Sequence, residues 1–176
     1  MARRLKLATA GTGYFAQSHY DAWSRLENVD LVGLCTLDGT MGRHIPGRFD
    51  VDTVHGDVAG MLDAVKPDLL DIVTPPPTHR QFIETAVARG VAVVCQKPFT
   101  ENLAEAEEMT ALAEAANVPL IVHENFRFQP WHRQTRMMLD EGTQGEVYQI
   151  SFRMRPGDGQ GPDAYLERQP AFQTME

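Results

Sequence analysis

Residues 5–16, LKLATAGTGYFA, decide the fold of this chain, because an apolar run stops at two closely spaced glycines and restarts at an alanine. The pattern predicts a buried strand, a tight turn and the first turn of a helix. Gly11 can adopt the positive φ that such a turn requires, and Gly13 lacks the Cβ that would keep a diphosphate away from the backbone. Ala16 allows the helix to approach the strand. The helix would direct its unpaired amides and the positive end of its dipole towards the phosphates.

The motif G-x-G-x-x-A therefore predicts a dinucleotide site. A glycine turn that merely joins a strand to a helix is the alternative for the motif taken alone. We expect the bound cofactor to be lined by Gly11, Thr12, Gly13, Tyr14, Phe15 and Ala16.

Composition restricts the class of protein further. The chain has 176 residues, which suits one domain or one domain and part of another. Its net charge of -8 argues against a broad surface for nucleic acid or anionic membranes. No apolar run approaches the length of a membrane span, and the basic start MARRLK is too short for a signal peptide, so we expect a cytoplasmic protein. Cys35 and Cys95 lack any metal-ligand spacing, which favours buried reduced thiols over a disulfide or a metal site.

Strand and helix patterns alternate as far as residue 123, which predicts an α/β fold with a doubly wound parallel sheet, a Rossmann domain. Further buried strands are predicted at 29–35, 69–73, 91–95 and 118–122, and a short extended piece at 51–54 brings the number of strands to six. Helix N-caps are predicted at Asp57, Thr78 and Asn102, the last two as capping boxes. Methyltransferases share this outline, but they usually carry an acidic residue just before the glycine turn, and this chain does not.

The first predicted helix carries an apolar stripe that contains a histidine. The stripe is formed by Phe15, His19, Ala22, Trp23 and Leu26. A structural role with one satisfied ring nitrogen is favoured for His19, and the alternative is a ligand or catalytic base.

The end of the second strand is where a dinucleotide fold selects its cofactor. An acidic residue there would accept hydrogen bonds from the ribose, but this chain has Thr36, followed two residues later by Asp38. A threonine can donate to a ribose or to a 2′-phosphate, and no arginine follows directly. The sequence therefore favours NAD over NADP.

Polar residues follow the later strands at the edge where parallel sheets bind ligands. The stiff loop from Thr74 to His79 contains three prolines, and we expect Thr74, Pro75, Pro76 and His79 to lie near the cofactor. A purely structural turn is the alternative for this loop.

Gln96-Lys97-Pro98 follows the fifth strand, close to the predicted cofactor. Lys97 at this position can act as a general acid or base for an alcohol or carbonyl, and a solvated surface lysine is the alternative. Beyond the sixth strand, Asn125 could bind a sugar hydroxyl or the nicotinamide ribose, and Arg127 could bind a polar substrate edge. Contacts between domains are the alternative for both.

Four motifs in this order resemble the Gfo/Idh/MocA oxidoreductases. They are Gly11-x-Gly13-x-x-Ala16, Thr74-Pro75-Pro76-Pro77-Thr78-His79, Gln96-Lys97-Pro98 and Asn125-x-Arg127-Phe128. The resemblance implies a dinucleotide domain at 1–123, and a second α+β domain, beginning at 124–176, whose largely antiparallel sheet often mediates formation of homo-oligomers. It also implies hydride transfer between a nicotinamide and a sugar, polyol or related hydroxyl compound.

The same resemblance implies that Lys97 contacts the reacting hydroxyl, that Gln96 belongs to the cofactor site, and that a cis peptide precedes Pro98. This sequence departs from the family pattern at Gln96, where glutamate is usual, and at Thr36, where an acidic residue is common. Family members also continue well past residue 176. We therefore expect an incomplete second domain, with the predicted strand at 146–153 lacking its partners, and a fragment that is inactive by itself.

Two other functional classes stay open at this level. The chain could be a non-catalytic dinucleotide-binding module, acting as a sensor or partner subunit. It could also be an interaction scaffold that has lost its cofactor, for which the missing acidic residue at position 36 is the only support.

Overall fold

The computed structural model describes residues 3–36, 49, 51 and 53–153, and the chain divides into two compact units, 1–123 and 124–176. Asp38, a predicted cofactor ligand, lies outside the described residues, as does the tail from residue 154. Among the described helices, none is both long and apolar enough to cross a membrane.

The first unit alternates strands and helices as the sequence pattern predicts. Its elements are β1 (Leu5–Ala10), α1 (Ala16–Ser24), β2 (Val29–Cys35), β3 (Val54–His55), α2 (Val58–Val65), β4 (Leu69–Ile72), α3 (His79–Val87), β5 (Ala92–Gln96), α4 (Leu103–Ala115) and β6 (Leu120–His123).

The six strands form one parallel sheet in the order β3-β2-β1-β4-β5-β6. The chain begins in the middle, runs outward to β3, and then crosses to the other side of β1. The neighbours β1 and β4 therefore mark the point where the winding reverses, which is where open α/β sheets bind ligands. The predicted Rossmann fold is confirmed.

The sheet has an apolar cluster on each face, because successive side chains of a strand point to opposite sides. Ala8, Ala10, Leu70 and Ile72 pack into the larger cluster, which contains residues of α2, α3 and α4. The smaller cluster contains Ala16, Tyr20, Leu34, Val51 and Val73. Thr9 and Asp71 alternate with the residues of the larger cluster, so they lie on the face that α1 covers.

The apolar stripe predicted for the first helix is partly wrong. Ala16, His19 and Tyr20 are its buried residues, whereas Ala22 and Leu26 are exposed. Leu26 lies beyond the end of α1, and Tyr20, which was not assigned to the stripe, is fully buried.

Two of the three predicted helix caps are confirmed. The side chain of Asp57 accepts a hydrogen bond from the Gly60 amide at 2.7 Å, and that of Asn102 accepts one from the Glu105 amide at 3.0 Å. Thr78 does not cap α3, because it belongs to a 3-10 turn, Pro76–Thr78, and its hydroxyl bonds back to the Pro75 carbonyl at 2.8 Å.

The second unit contains a short 3-10 turn, Phe126–Phe128, and the helix α5, Pro130–Asp140. The strand predicted at 146–153 is wrong, since these residues form no ladder in the described structure. An isolated strand cannot satisfy its backbone groups without a neighbour.

Candidate functional site: a cleft at the carboxyl ends of the central strands

A cleft of about 290 Å³ opens where β1, β2 and β4 end. It is lined by Ala10, Gly11, Thr12, Gly13, Cys35, Thr36, Val73, Thr74, Pro75 and Phe82. Three of the motifs predicted from sequence therefore meet here: the glycine turn, the residue after the second strand, and the start of the proline loop.

Gly11 brings the ends of β1 and β4 together. Its φ is +113°, and a Cβ at this position would lie 2.3 Å from the Val73 carbonyl oxygen. The Tyr20 hydroxyl donates a hydrogen bond to the Gly11 carbonyl. The predicted positive φ is confirmed, and no other residue would fit here without displacing β4.

Gly13 differs from Gly11, because no atom lies within 4 Å of the position that a Cβ would occupy. It faces the open cleft next to the start of α1. This helix has no side-chain cap at Phe15 and no acidic residue in its first turn. The Ala16 and Ser18 amides donate to the carbonyls of Gly13 and Phe15, both at 3.1 Å, so what this helix start offers an anion is its positive dipole end. Tyr14 is 79% exposed beside this turn, and Ala16 is fully buried behind it.

Thr12 and Thr36 link the ends of β1 and β2 through their hydroxyl groups, whose oxygens are 2.9 Å apart. Both side chains are buried, at 8% and 6% exposure. Cys35 precedes Thr36, and burial raises the pKa of its thiol to about 11. At neutral pH this wall of the cleft therefore presents hydroxyl groups and a neutral thiol.

The proline loop supplies the third wall, and His79 supports it from inside. Thr74 and Pro75 line the cleft, whereas His79 is fully buried. Its Nε2 lies 2.8 Å from the Thr74 carbonyl oxygen, and its Nδ1 lies 2.9 Å from that of Phe99. Each ring nitrogen that carries a proton donates to the carbonyl that it faces. The ring therefore joins the loop after β4 to the segment after β5.

Lys97 follows β5 directly, and its side chain is exposed. The Lys97–Pro98 peptide is cis, as the resemblance implied. Gln96, the last residue of β5, is buried, and its Oε1 accepts a hydrogen bond from the Lys97 amide at 2.8 Å. Gln96, Lys97 and His79 do not line the cleft itself.

Asp71 is a buried carboxylate that sequence reasoning missed. It lies in the middle of β4 and is fully buried, and its Oδ2 is 2.8 Å from His19 Nδ1. The Trp23 indole donates to the same oxygen at 2.7 Å. An acidic residue inside an otherwise apolar strand was the signal that could have revealed it, because such groups are rarely buried without partners.

Phe15 and Pro76, in the first unit, do not line the cleft, and the last two predicted residues belong to the second unit. Asn125 is half-buried and immediately precedes the 3-10 turn, and Arg127 is exposed with its guanidinium 5.4 Å from the centre of the Phe128 ring.

The sheet order, the winding reversal and the glycine turn define a dinucleotide-binding domain of the Rossmann class. The chain belongs to the Gfo/Idh/MocA oxidoreductase family with an NAD-binding Rossmann fold, whose family model matches residues 5–124. The resemblance noted from the four motifs is thus confirmed.

Relatives of known activity match most of this chain. A D-apiose dehydrogenase from Paraburkholderia graminis is 40% identical over 153 residues, which cover 86% of this chain and 41% of the relative. A D-glucoside 3-dehydrogenase from Escherichia coli is 27% identical over 150 residues, which cover 85% of this chain and 43% of the relative. The chain thus spans about two fifths of the length of these relatives.

Solved structures show the same fold. An oxidoreductase from Agrobacterium radiobacter, in complex with NAD+, L-tartaric acid and magnesium, matches with a TM-score of 0.79 and 34% identity over 81% of this chain and 42% of that one. The scyllo-inositol dehydrogenase from Lactobacillus casei, with bound NAD(H) and scyllo-inositol, matches with a TM-score of 0.77 over 82% of this chain and 43% of that one. At 20% identity, this second match shows the fold alone.

Proposed function

We propose that the complete protein is an NAD-dependent dehydrogenase of a sugar, polyol or related hydroxyl compound. In this proposal, the 176-residue chain provides the cofactor site and one catalytic lysine. The observation that carries it is the 290 Å³ cleft at the winding reversal, where a helix start without a side-chain cap adjoins an unobstructed Gly13. The relatives whose names specify sugar substrates support the substrate class.

The glycine turn would hold the diphosphate of the cofactor. Main-chain amides from Thr12 to Phe15 would donate to its oxygens, with Gly13 admitting the phosphates and Tyr14 and Phe15 flanking them. Ala16 would contribute by its small size, because its own amide donates to the Gly13 carbonyl at 3.1 Å. These residues fit an anion, because the first turn of α1 carries no acidic side chain.

The ends of β2 and β4 would hold the rest of the cofactor. Thr36 would bind the adenosine ribose, with Asp38 proposed from the sequence as a second ligand, and no arginine follows directly in the sequence to balance a 2′-phosphate. This arrangement favours NAD over NADP. Thr74, Pro75 and Pro76 would shape the wall nearer the nicotinamide. His79 and Gln96 would act indirectly, by holding the loops that carry these contacts.

Lys97 would carry out proton transfer at the substrate hydroxyl. The bound nicotinamide supplies a carbon that accepts or returns a hydride. When the substrate is oxidised, its C–H pair of electrons leaves as hydride and its O–H proton moves to the neutral amine at Lys97 Nζ. Asn125 and Arg127 would bind other polar groups of the substrate. In this proposal the complete protein also forms a homo-oligomer through its second domain.

The test is an assay of the complete protein with NAD and a panel of sugars and polyols, followed by the absorbance of the reduced nicotinamide. We expect Lys97→Met to lower kcat by about a hundredfold or more while NAD affinity is retained. Lys6→Met is the matched control, because Lys6 is exposed and lies near the opposite end of β1. NAD binding without turnover of any substrate would favour the non-catalytic module instead.

A further inference from the structure

Three buried polar side chains outside the cleft connect three different elements. Asp71 comes from β4, His19 from α1 and Gln96 from β5, and they are 0%, 5% and 6% exposed. Burying such groups is unfavourable unless each finds a hydrogen-bonding partner. Their partners are one another and, at Asp71, the Trp23 indole as well, in a line that ends at the main chain of Lys97.

The direction of this line is fixed by the backbone. The main-chain N–H of Lys97 can only donate, and its acceptor at 2.8 Å is Gln96 Oε1. The nitrogen of the Gln96 side-chain amide is therefore its other end, and this NH₂ group lies 3.1 Å from His19 Nε2. His19 Nε2 must accept.

A neutral imidazole that accepts at Nε2 carries its proton at Nδ1. His19 Nδ1 lies 2.8 Å from Asp71 Oδ2, which accepts that proton's hydrogen bond. The ring cannot easily turn away, because it contacts the rings of Phe15 and His123, with centroids 5.5 and 4.6 Å away. Each donor in the line thus faces an acceptor.

We infer that Asp71, His19 and Gln96 form a directed hydrogen-bond chain that positions Lys97 through its main-chain amide. The inference rests on the proposed function in one respect, which is the catalytic role of Lys97. The three are positioning residues, since none of them lines the cleft. Because Lys97 immediately follows β5, the orientation of its amide determines where the side chain leaves the sheet.

The hydrogen-bond chain also explains why glutamine, and not glutamate, occupies position 96. A glutamate would still accept from the Lys97 amide, but its second oxygen would face His19 Nε2, and two acceptors repel each other. Only a second proton on the His19 ring would restore that contact, and the ring would then be a cation between two carboxylates. Glutamine completes the line with a neutral ring.

The direct test is ¹⁵N NMR of the histidine rings in the unliganded 176-residue chain at neutral pH. We expect His19 to be the tautomer protonated at Nδ1, with Nε2 unprotonated. In Gln96→Glu we expect both ring nitrogens to be protonated. Wild-type His19 protonated at Nε2, or at both nitrogens, would overturn the inference without any variant being needed.

Hydrogen exchange at the Lys97 amide tests whether a change at Asp71 reaches Lys97 through these hydrogen bonds. Asp71→Asn keeps an oxygen acceptor for His19, and we expect exchange at Lys97 within about twofold of wild type. Asp71→Leu has a similar volume but no acceptor, so the ring proton is free to move to Nε2 and oppose the Gln96 amide. We expect it to accelerate Lys97 exchange by about tenfold or more. Equal exchange in the two variants would mean that the residues serve packing only.

Gln96→Met covers the case in which Asp71→Leu does not fold. It removes the acceptor for the Lys97 amide, so exchange there should accelerate by about tenfold, whereas Gln96→Glu should preserve protection. In the complete enzyme, Gln96→Met should lower kcat by about 10- to 100-fold with little change in KM for NAD, and Gln96→Glu should recover most of the loss. Equal kcat in wild type and Gln96→Met would overturn the positioning role.

These outcomes are separable from the proposed function. The ring tautomer and amide exchange are measured without cofactor or substrate, so a failure there leaves the dehydrogenase proposal intact. Absence of turnover in the wild-type enzyme would refute the dehydrogenase proposal, and with it the positioning role.

Discussion

Gly11 and Gly13 lie two residues apart in one turn, but glycine is required at the two positions for different reasons. At Gly11, a Cβ would collide with the Val73 carbonyl and the φ of +113° would strain any other residue, so a substitution there damages the fold. At Gly13, a side chain would enter open space. A substitution at Gly13 therefore tests cofactor binding without disturbing the packing of the sheet.

Thr36 carries a prediction about the choice of cofactor. We expect Thr36→Asp to lower NADP affinity by about tenfold or more while NAD affinity is maintained, because a carboxylate accepts from the ribose hydroxyls and repels a 2′-phosphate. Calorimetric titration of both cofactors measures the ratio. Thr36→Ser, which can keep the hydroxyl contact with Thr12, is the control. An unchanged NADP affinity in Thr36→Asp would show that Thr36 does not lie at the ribose.

His79 carries a prediction about loop support. We expect His79→Phe to lower the free energy of unfolding by about 2 kcal/mol, because the carbonyls of the half-buried Thr74 and Phe99 lose this donor. NAD affinity should fall as well, since Thr74 lines the cleft. Urea denaturation and calorimetry measure the two effects.

His79→Gln offers a graded comparison, because its amide can still donate to one of the two carbonyls but cannot bridge both or fill the buried space of the ring. It should fall between wild type and His79→Phe in stability. If His79→Phe were as stable as wild type, the hydrogen bonds of the His79 ring would not stabilise the two loops.

At the scale of elements, Asp68 joins β1 to β4 at the edge opposite the cleft. Its Oδ2 accepts from the Lys6 amide at 2.8 Å, its own amide donates to the Lys6 carbonyl at 2.8 Å, and Arg3 pairs with its other oxygen. The hydrogen bond from Lys6, followed by the contact with Arg3, holds the pKa of this carboxyl below its ordinary value of 3.8.

This lowered pKa gives a pH-dependent prediction. Because the folded-state pKa is the lower one, the carboxylate stabilises the fold fully above the unfolded value of 3.8 and loses that contribution as the pH falls through the folded value. Asp68→Asn should therefore unfold at a lower denaturant concentration than wild type at pH 7, with the difference shrinking below about pH 4. Asp21→Asn, which breaks an exposed pair with Arg25, should have a smaller effect. A pH-independent difference for Asp68→Asn would contradict this assignment.

The order of elements could be predicted from sequence because local signals agreed with burial. Buried strands read as continuous apolar runs, and Asp57 and Asn102 mark helix starts by their own side chains. Thr78 misled the prediction, because the prolines before it form a 3-10 turn that draws its hydroxyl back to Pro75. A sequence pattern does not show which of two possible hydrogen-bond acceptors or donors a hydroxyl group will choose.

The site was predictable to the extent that its residues follow strand ends. Gly11, Thr36 and Thr74 meet at the cleft because parallel strands end at one edge of the sheet. The line from Asp71 to Lys97 was not predictable, because it joins residues far apart in sequence through contacts that only the packing of α1 creates.

For the whole molecule, the first unit has the NAD-binding Rossmann fold of its family, and the chain spans about two fifths of the length of the relatives it matches. We therefore predict that the 176-residue chain by itself contains a cofactor site centred on the glycine turn. Substrate selection and turnover belong to the proposal for the complete protein.

Calorimetric titration of the 176-residue chain with NAD, alongside Gly13→Val and Gly56→Val, tests for this site. Both glycines have open space at the Cβ position, but only Gly13 lines the cleft. We predict that wild type and Gly56→Val bind NAD with similar affinity and that Gly13→Val loses about a hundredfold or more. Equal binding by wild type and Gly13→Val, or no binding by folded wild type, would show that the glycine turn is not a cofactor site in this chain.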